Sequence, residues 1–333
     1  MAGGNGRDPA GGGAPGGGVS GGGVSGGGPS GGGSWTGLDW IAVDWGGTRL
    51  RAWLIDGAGR VLAARASDAG ADGLAQGGFE PALLDLVGDA LPEAGRVPVL
   101  ACGMAGARQG WAEAPYRAVP CAPPTAAEAV AAPARDPRLE VRLLPGLSQA
   151  RPPDVMRGEE TQIAGLLAGA AGFDGVVCLP GTHTKWAQVS AGEIVAFRSF
   201  LTGELFALLA GRSVLRHTVA AAGWDADAFA AAVSEGMAHP ARLGAELFGL
   251  RAEALLSGLD PARARARLSG LLIGMELAAA RPYWLGQDVA LVGAGGVARA
   301  YEAALSAQGA APRATADETA TLAGLVVARA RAA

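Results

Sequence analysis

Trp40-Ile-Ala-Val-Asp-Trp-Gly-Gly-Thr-Arg49 is an apolar run that closes on a carboxylate, a glycine pair and a hydroxyl. Leu50-Arg-Ala-Trp-Leu-Ile55 follows with alternating faces, as a strand requires. Asp56-Gly57 opens a turn, and Val61-Leu-Ala-Ala-Arg65 reads as a third strand. Strand, glycine turn, strand, turn, strand describes an antiparallel meander. Val97–Cys102 is a further short buried strand, running into Gly103-Met-Ala-Gly106. The opening unit then recurs. Gly175-Val-Val-Cys-Leu179 enters the tight loop Pro180-Gly-Thr-His-Thr-Lys185, and Trp186–Val189 with Ile194–Arg198 forms a second hairpin. One unit at residues 41–65 and again at 176–198 predicts two similar α/β halves facing each other across a cleft.

The remaining segments fit around these units. Pro120–Pro145 is rich in Pro, Ala and charge, and 146–153 reads as a linker with a hinge near Gly146. Val155–Ala170 has helical core spacing at Ile163, Leu166 and Leu167. Asp225 to Arg281 is helical in pattern, with Asp260-Pro261 as a helix start. Asp288–Val292 returns to strand and reaches Gly293-Ala-Gly-Gly296; a helix (Val297–Gln308), a short strand (Arg313–Ala316) and a final helix follow. The expected division is an N-terminal lobe over 38–148 and a C-terminal lobe over 149–333. Residues 1–37, largely Gly, Ser, Pro and Ala, are expected to be a disordered tail, since they carry too little apolar surface to offset ordering entropy.

Composition narrows the partners. Lys and Arg number 27 against 31 Asp and Glu, for a net charge of −4 with no basic run, which argues against nucleic acid. No apolar stretch is long and charge-free enough to span a bilayer; Leu268–Ala280 is short and contains Glu276. Cys102, Cys121 and Cys178 lack paired spacing, and His183, His217 and His239 are scattered, so neither a disulfide framework nor a zinc site is predicted. The expectation is a reduced, cytoplasmic protein, with a homodimer left open.

Three turns carry the chemistry. In the first, Gly46 and Gly47 let backbone N–H groups approach an anion, Thr48 adds a donor, and Asp44 suits a magnesium ion held through water. In the second, Gly181, Thr182 and Thr184 form an anion nest within reach of Lys185; His183 positions the loop. The third, Gly293, Gly295 and Gly296 between a strand and a helix, satisfies a dinucleotide fingerprint with Asp317 downstream. Only 16 residues follow that acid, too few for the remaining βα units such a domain needs. The same turn can instead support an adenosine. No Gly-x-x-x-x-Gly-Lys-Ser/Thr motif is present.

Taken together, the turns match the phosphate-1, phosphate-2 and adenosine segments of the actin/hexokinase/acetate-kinase superfamily. Six segments make the resemblance specific: Val43–Trp53, Gly103–Trp111, Met156–Gln162, Pro180–Trp186, Leu201–Leu205 and Ser269–Glu276. In order and spacing they resemble the 2-dehydro-3-deoxygalactonokinase family. That resemblance implies two ribonuclease H-like (actin/hexokinase-type) domains facing an interdomain cleft. It also implies ATP and Mg2+ as cofactors, a small sugar-acid substrate, and transfer of the γ-phosphoryl to the 6-hydroxyl of 2-dehydro-3-deoxy-D-galactonate in galactonate catabolism. Gly158-Glu159-Glu160 resembles the Gly-Asp-Gln segment of related carbohydrate kinases, so Glu159 or Glu160 is the expected proton acceptor. Arg157 and Arg198, with the backbone at Gly103 and Ala105, are expected to hold the substrate; Arg51 and Arg108 are further carboxylate anchors. The alternatives are a same-fold kinase for another sugar or sugar acid, and a non-catalytic ATP-binding switch.

Overall fold

The computed structural model describes residue 35 and residues 37–331. The chain opens with β1 (Leu38–Trp45), β2 (Leu50–Asp56) and β3 (Val61–Ser67), the meander expected from the sequence. Next come α1 (Phe79–Val87), β4 (Val97–Gly103), β5 (Arg117–Ala118), β6 (Val130–Ala131), β7 (Leu139–Leu143), β8 (Leu147–Ala150) and β9 (Pro153–Met156). The second half runs α2 (Glu159–Gly169), β10 (Gly175–Leu179), β11 (Thr184–Ser190), β12 (Glu193–Phe200), α3 (Thr202–Arg212), α4 (Ala226–Ala238), α5 (Leu243–Ser257), α6 (Pro261–Ala279) and α7 (Arg281–Trp284). It ends with β13 (Val289–Val292), α8 (Gly295–Ala307), β14 (Arg313–Thr315) and α9 (Asp317–Ala330).

The first sheet has the order β3-β2-β1-β4-β7-β6 and the second β12-β11-β10-β13-β14. Without the edge strand β6 these are one topology. In each, three antiparallel strands lead to two more that run parallel to the first. The duplication read from two hairpins therefore extends to whole sheets. A third small sheet, β5-β8-β9, draws β8 and the start of β9 from the stretch expected to be a linker.

Alternation along the strands sorts each sheet into two faces. Ile41, Val43 and Trp45 join Phe79, Leu83 and Trp111 in one core, while Trp40 and Ala42 join Cys102, Leu325 and Ala328 in another. In the second sheet Cys178 and Trp186 pack with residues of α4, α6 and α8, whereas Val177 and Ala187 pack with Ile163 of α2 and Ala320 of α9. So α9 covers the inner face of the first sheet and α2 that of the second. The two helices cross each other closely: a Cβ at Gly165 would stand 1.8 Å from the Ala320 carbonyl oxygen, and one at Gly324 would stand 1.9 Å from that of Thr161.

Several sequence expectations change. The helix expected over 155–170 starts only at Glu159, because Pro153–Met156 pairs with β8. The adenosine-turn helix begins at Gly295, two residues early. Strand β7 lies in the Pro-, Ala- and charge-rich stretch 120–145, for which no element is predicted; Leu139, Val141 and Leu143 carry the alternation that marks it. The last helix, assigned by sequence to the C-terminal lobe, buries Leu325 and Ala328 against the N-terminal sheet. Within the expected tail, Trp35 packs on Arg65, its ring centroid 5.3 Å from the guanidinium carbon; residues 1–34 and 36 lie outside the described residues.

Candidate active site

Asp44 ends β1 on the inner face, opposite Arg51 in the hairpin register. Arg51 donates to Asp44 Oδ2 from Nε at 3.0 Å and from Nη2 at 2.5 Å, and from Nη1 to Asp317 Oδ2 at 3.1 Å. Burial pushes the Asp44 carboxyl above its usual range, Arg51 opposes that, and Asp317 reinforces it. Arg51 is thereby committed to two carboxylates and is not a substrate anchor. Asp317, weighed by sequence only as part of a dinucleotide fingerprint, sits beside Asp44 at the first turn of α9. No local pattern predicts this, since the two residues are joined only through Arg51.

The first glycine turn is held from behind. Ala71 N–H donates to the Gly46 carbonyl at 3.0 Å and Asp72 N–H to that of Gly47 at 2.8 Å. With the carbonyls occupied, the exposed side of the turn carries Thr48 and Arg49. The second turn is braced similarly. Glu204 N–H donates to the Thr182 carbonyl at 2.9 Å, its carboxylate meets His183 Nε2 at 2.6 Å, and Gly203 is so close to the Gly181 carbonyl that a Cβ would stand 2.2 Å from its oxygen. Thr184 departs from expectation. Its side chain is fully buried and its hydroxyl lies 2.8 Å from that of Tyr301, so it serves the interior and not the anion nest.

Lys185 and Glu159 bring two distant motifs together. Strand alternation turns Lys185 to the inner face, where its Nζ lies 3.5 Å from Glu159 Oε1. It is the chain's sole lysine; every other basic residue is Arg. It is nearly buried there, as a compact ammonium on a flexible stem. Glu159 Oε2 accepts the Arg157 N–H at 2.9 Å, which fixes the carboxylate at the start of α2. Gly158 makes that geometry available. Its φ is +108°, and it packs against Gly103 closely enough that a Cβ would stand 3.4 Å from the Gly103 Cα.

The neighbouring acid differs. Glu160 is fully buried, and both its oxygens accept the Gly158 N–H, at 2.9 and 2.8 Å. Desolvation first, and the adjacent Glu159 second, push its carboxyl from 4.5 up to about 8. Burial thus favours the protonated form of Glu160 at neutral pH, whereas the Glu159 side chain is 24% exposed. The linkage has a definite sign. Between pH 4.5 and about 8 the folded chain binds this proton and the unfolded chain does not, so stability falls as pH rises. At about 1.4 kcal/mol per unit, the fall is on the order of 5 kcal/mol across the window. Denaturant titrations from pH 5 to 8 are expected to show a steeper loss in the parent than in Glu160→Gln; equal slopes would refute the assignment.

The remaining expected residues separate. Gly293 lies beside the second turn, where a Cβ would stand 3.5 Å from Pro180 Cδ, and Gly295 and Gly296 begin α8. Gly181, Gly203 and Gly296 border one cavity of about 780 Å³ between α3, α4, α6 and α8, walled by Phe206, Trp224, Val233, Ile273 and Val297. Arg157 stacks on Tyr116 at 4.3 Å and donates from Nη2 to the Ala114 carbonyl at 2.8 Å; its Nε and Nη1 are enclosed without a protein partner among the described residues. Ala105 is not a substrate contact: its side chain is in the core and its carbonyl accepts the Trp111 N–H at 2.8 Å. Arg198 is also displaced, because it pairs with Trp186 and so lies on the outer face of its sheet, opposite to Lys185. Arg108 is exposed and meets Glu113 at 3.5 Å.

Contacts thus run continuously from Asp44 through Gly103, Gly158, Glu159 and Lys185 to the second turn and on to Gly293. Two copies of one sheet topology, each with a glycine turn after its first strand and a helix on its inner face, are the fold of a kinase of the actin/hexokinase class. The sequence matches the 2-keto-3-deoxy-galactonokinase family over residues 44–328, and the chain belongs to that family. A Rhizobium meliloti protein named probable 2-dehydro-3-deoxygalactonokinase is 44% identical over 291 residues, covering 84% of this chain and 93% of the relative. The 2-dehydro-3-deoxygalactonokinase of Escherichia coli is 37% identical over 285 residues, covering 84% and 94%. A crystal structure of a candidate 2-dehydro-3-deoxygalactonokinase from Sinorhizobium meliloti matches with a TM-score of 0.80 at 43% identity, over 88% of this chain and 96% of that one. No helix among the described residues is long and apolar enough to cross a membrane.

Proposed function

We propose that this carbohydrate kinase transfers the γ-phosphoryl of ATP to the 6-hydroxyl of 2-dehydro-3-deoxy-D-galactonate, giving the 6-phosphate and ADP in galactonate breakdown. The observation that carries the reading is the Glu159 carboxylate, held 3.5 Å from Lys185 where the two lobes meet. In this reading Glu159 accepts the hydroxyl proton and Lys185 places positive charge beside the transferring group. Backbone N–H groups at Gly47, Thr48, Gly181 and Thr182 line the polyphosphate; the Gly46 N–H is bonded to the Arg49 carbonyl at 2.9 Å and shapes the turn. Gly293, Gly295 and Gly296 lie against the nucleoside, with the base in the 780 Å³ cavity.

The donor set suits a magnesium ion carried with the nucleotide. Asp44 and Asp317 offer two carboxylates on one side, and among the described residues no group of three His, Cys, Asp or Glu makes a dedicated cage. Such an ion is commonly held by one or two carboxylates, waters and phosphates, and it would neutralise developing phosphoryl charge. Arg157 is the proposed anchor for the substrate carboxylate. Two enclosed donors without partners are costly, and an arriving carboxylate that displaced Tyr116 would satisfy them. Gly103 shapes the entrance by its contact with Gly158. We assign the cleft to a 38–148 lobe and a 149–333 lobe that lends α9 to the other; their closure excludes water, the competing acceptor.

ATP consumption tested with 2-dehydro-3-deoxygalactonate, its gluconate epimer and other sugar acids decides the matter. The galactonate derivative is expected to be turned over with a kcat/KM at least about tenfold above the rest. Turnover of a different sugar acid alone would refute the substrate, and nucleotide binding without any turnover would favour a switch.

A further inference from the structure

One buried carboxylate belongs to none of the three turns yet touches the elements that carry two of them. Glu276, on α6, is completely shielded from solvent. Its Oε1 accepts Trp186 Nε1–H at 2.8 Å; its Oε2 accepts the Tyr301 hydroxyl at 2.7 Å and the Thr202 hydroxyl. The Thr184 hydroxyl lies 2.8 Å from that of Tyr301. Tyr301 donates its hydroxyl hydrogen to Glu276, so the Thr184 hydroxyl donates to Tyr301. Burial raises the Glu276 carboxyl, and the bonds from Thr202, Tyr301 and Trp186 oppose that rise.

Each donor comes from a different part of the nucleotide-facing wall. Thr184 and Trp186 flank Lys185 on β11. Thr202 starts α3, whose Gly203 and Glu204 brace the second turn from behind. Tyr301 lies on α8, the helix that leaves the third turn and borders the large cavity. An isolated buried carboxylate would be strongly destabilising. This one holds three separate elements in one register, and a shift of any of them leaves a buried oxygen without its donor.

We propose that Glu276 is a positioning residue for the nucleotide: through Trp186, Thr184, Thr202 and Tyr301 it fixes the distance between the second phosphate turn and the helix that flanks the nucleoside cavity. The inference rests on reading the cleft as a nucleotide site. It predicts that loosening the network weakens nucleotide binding while leaving the sugar-acid side intact, because Arg157, Gly103 and Glu159 lie outside the network.

Calorimetric affinity for a non-hydrolysable ATP analogue, together with KM values for both substrates, tests it. Glu276→Gln keeps the shape but gives Tyr301 or Thr202 an amide N–H where an acceptor stood. It is expected to weaken nucleotide affinity at least about tenfold, with the KM for the sugar acid within about threefold of the parent. Tyr301→Phe removes one oxygen and should move the same quantity in the same direction by less; this variant keeps the test open should Glu276→Gln not fold. The double variant should be less than additive, since both changes open one network. Folded variants with parental nucleotide affinity, or with both KM values raised alike, would overturn the proposal. A parent that binds nucleotide but phosphorylates no sugar acid would overturn the kinase reading and leave this inference standing.

Discussion

If Glu159 is the proton acceptor proposed above, Glu159→Gln is expected to lower kcat by roughly two to four orders of magnitude, the usual contribution of such a group, while the KM for ATP changes little. The amide keeps the size of the side chain, and its oxygen can still accept the Arg157 N–H that orients it. What it cannot do is take the proton of the attacking hydroxyl. The neighbouring acid does not substitute, because Glu160 is buried, bonded to the Gly158 N–H and already protonated at neutral pH. Environment alone separates the two adjacent carboxyl groups: burial pushes that of Glu160 up, while the Glu159 side chain keeps about a quarter of its surface exposed. Steady-state ADP release checks the prediction; a Glu159→Gln enzyme within about tenfold of the parent kcat would remove Glu159 as the base.

The largest structural effect is expected at the crossing of α2 and α9. Gly165→Ala puts a methyl group 1.8 Å from the Ala320 carbonyl oxygen and 2.8 Å from the Gly324 nitrogen. Neither obstacle is a flexible side-chain end, so the helices must separate. Each is anchored elsewhere: Ile163 packs against the second sheet, and Leu325 and Ala328 against the first. Overpacking of this kind costs on the order of 3 kcal/mol or more, and the thermal midpoint is expected to fall by roughly 6 °C or more. Activity should fall as well, since Glu159 begins the displaced helix and its 3.5 Å approach to Lys185 depends on where that helix starts. A midpoint within about 2 °C of the parent would mean that the crossing is looser than these distances imply.

The lone lysine links the two results. Elsewhere the chain uses Arg for positive charge, at Arg51 between two carboxylates and at Arg157 over Tyr116. Both sites use a planar fork, against paired oxygens or an aromatic face. Beside Glu159 the positive charge is instead a single ammonium, on a lysine side chain only 5% exposed.

Much of this architecture was legible in the residues. Alternation at Leu50–Ile55 and Val61–Arg65, and the recurrence of the pattern at 176–198, identified the repeated hairpin, because side-chain period and turn chemistry are local properties. The order of the six family segments pointed to the kinase class and to Glu159, Lys185 and the glycine turns as the residues of interest. Tertiary structure alone decided which of these meet. Strand pleat turned Lys185 inward and Arg198 outward, though only 13 residues separate them. Burial distinguished Glu160 from Glu159, which no sequence pattern could do, since solvation depends on what packs around a side chain and not on its neighbours in the chain. Asp317 reached Asp44 across 266 positions between Arg51 and itself, and Glu276 gathered donors from three elements. Local sequence dictates backbone conformation, but charge pairing and desolvation act through space, and they take effect only once the two sheets and their inner helices have assembled.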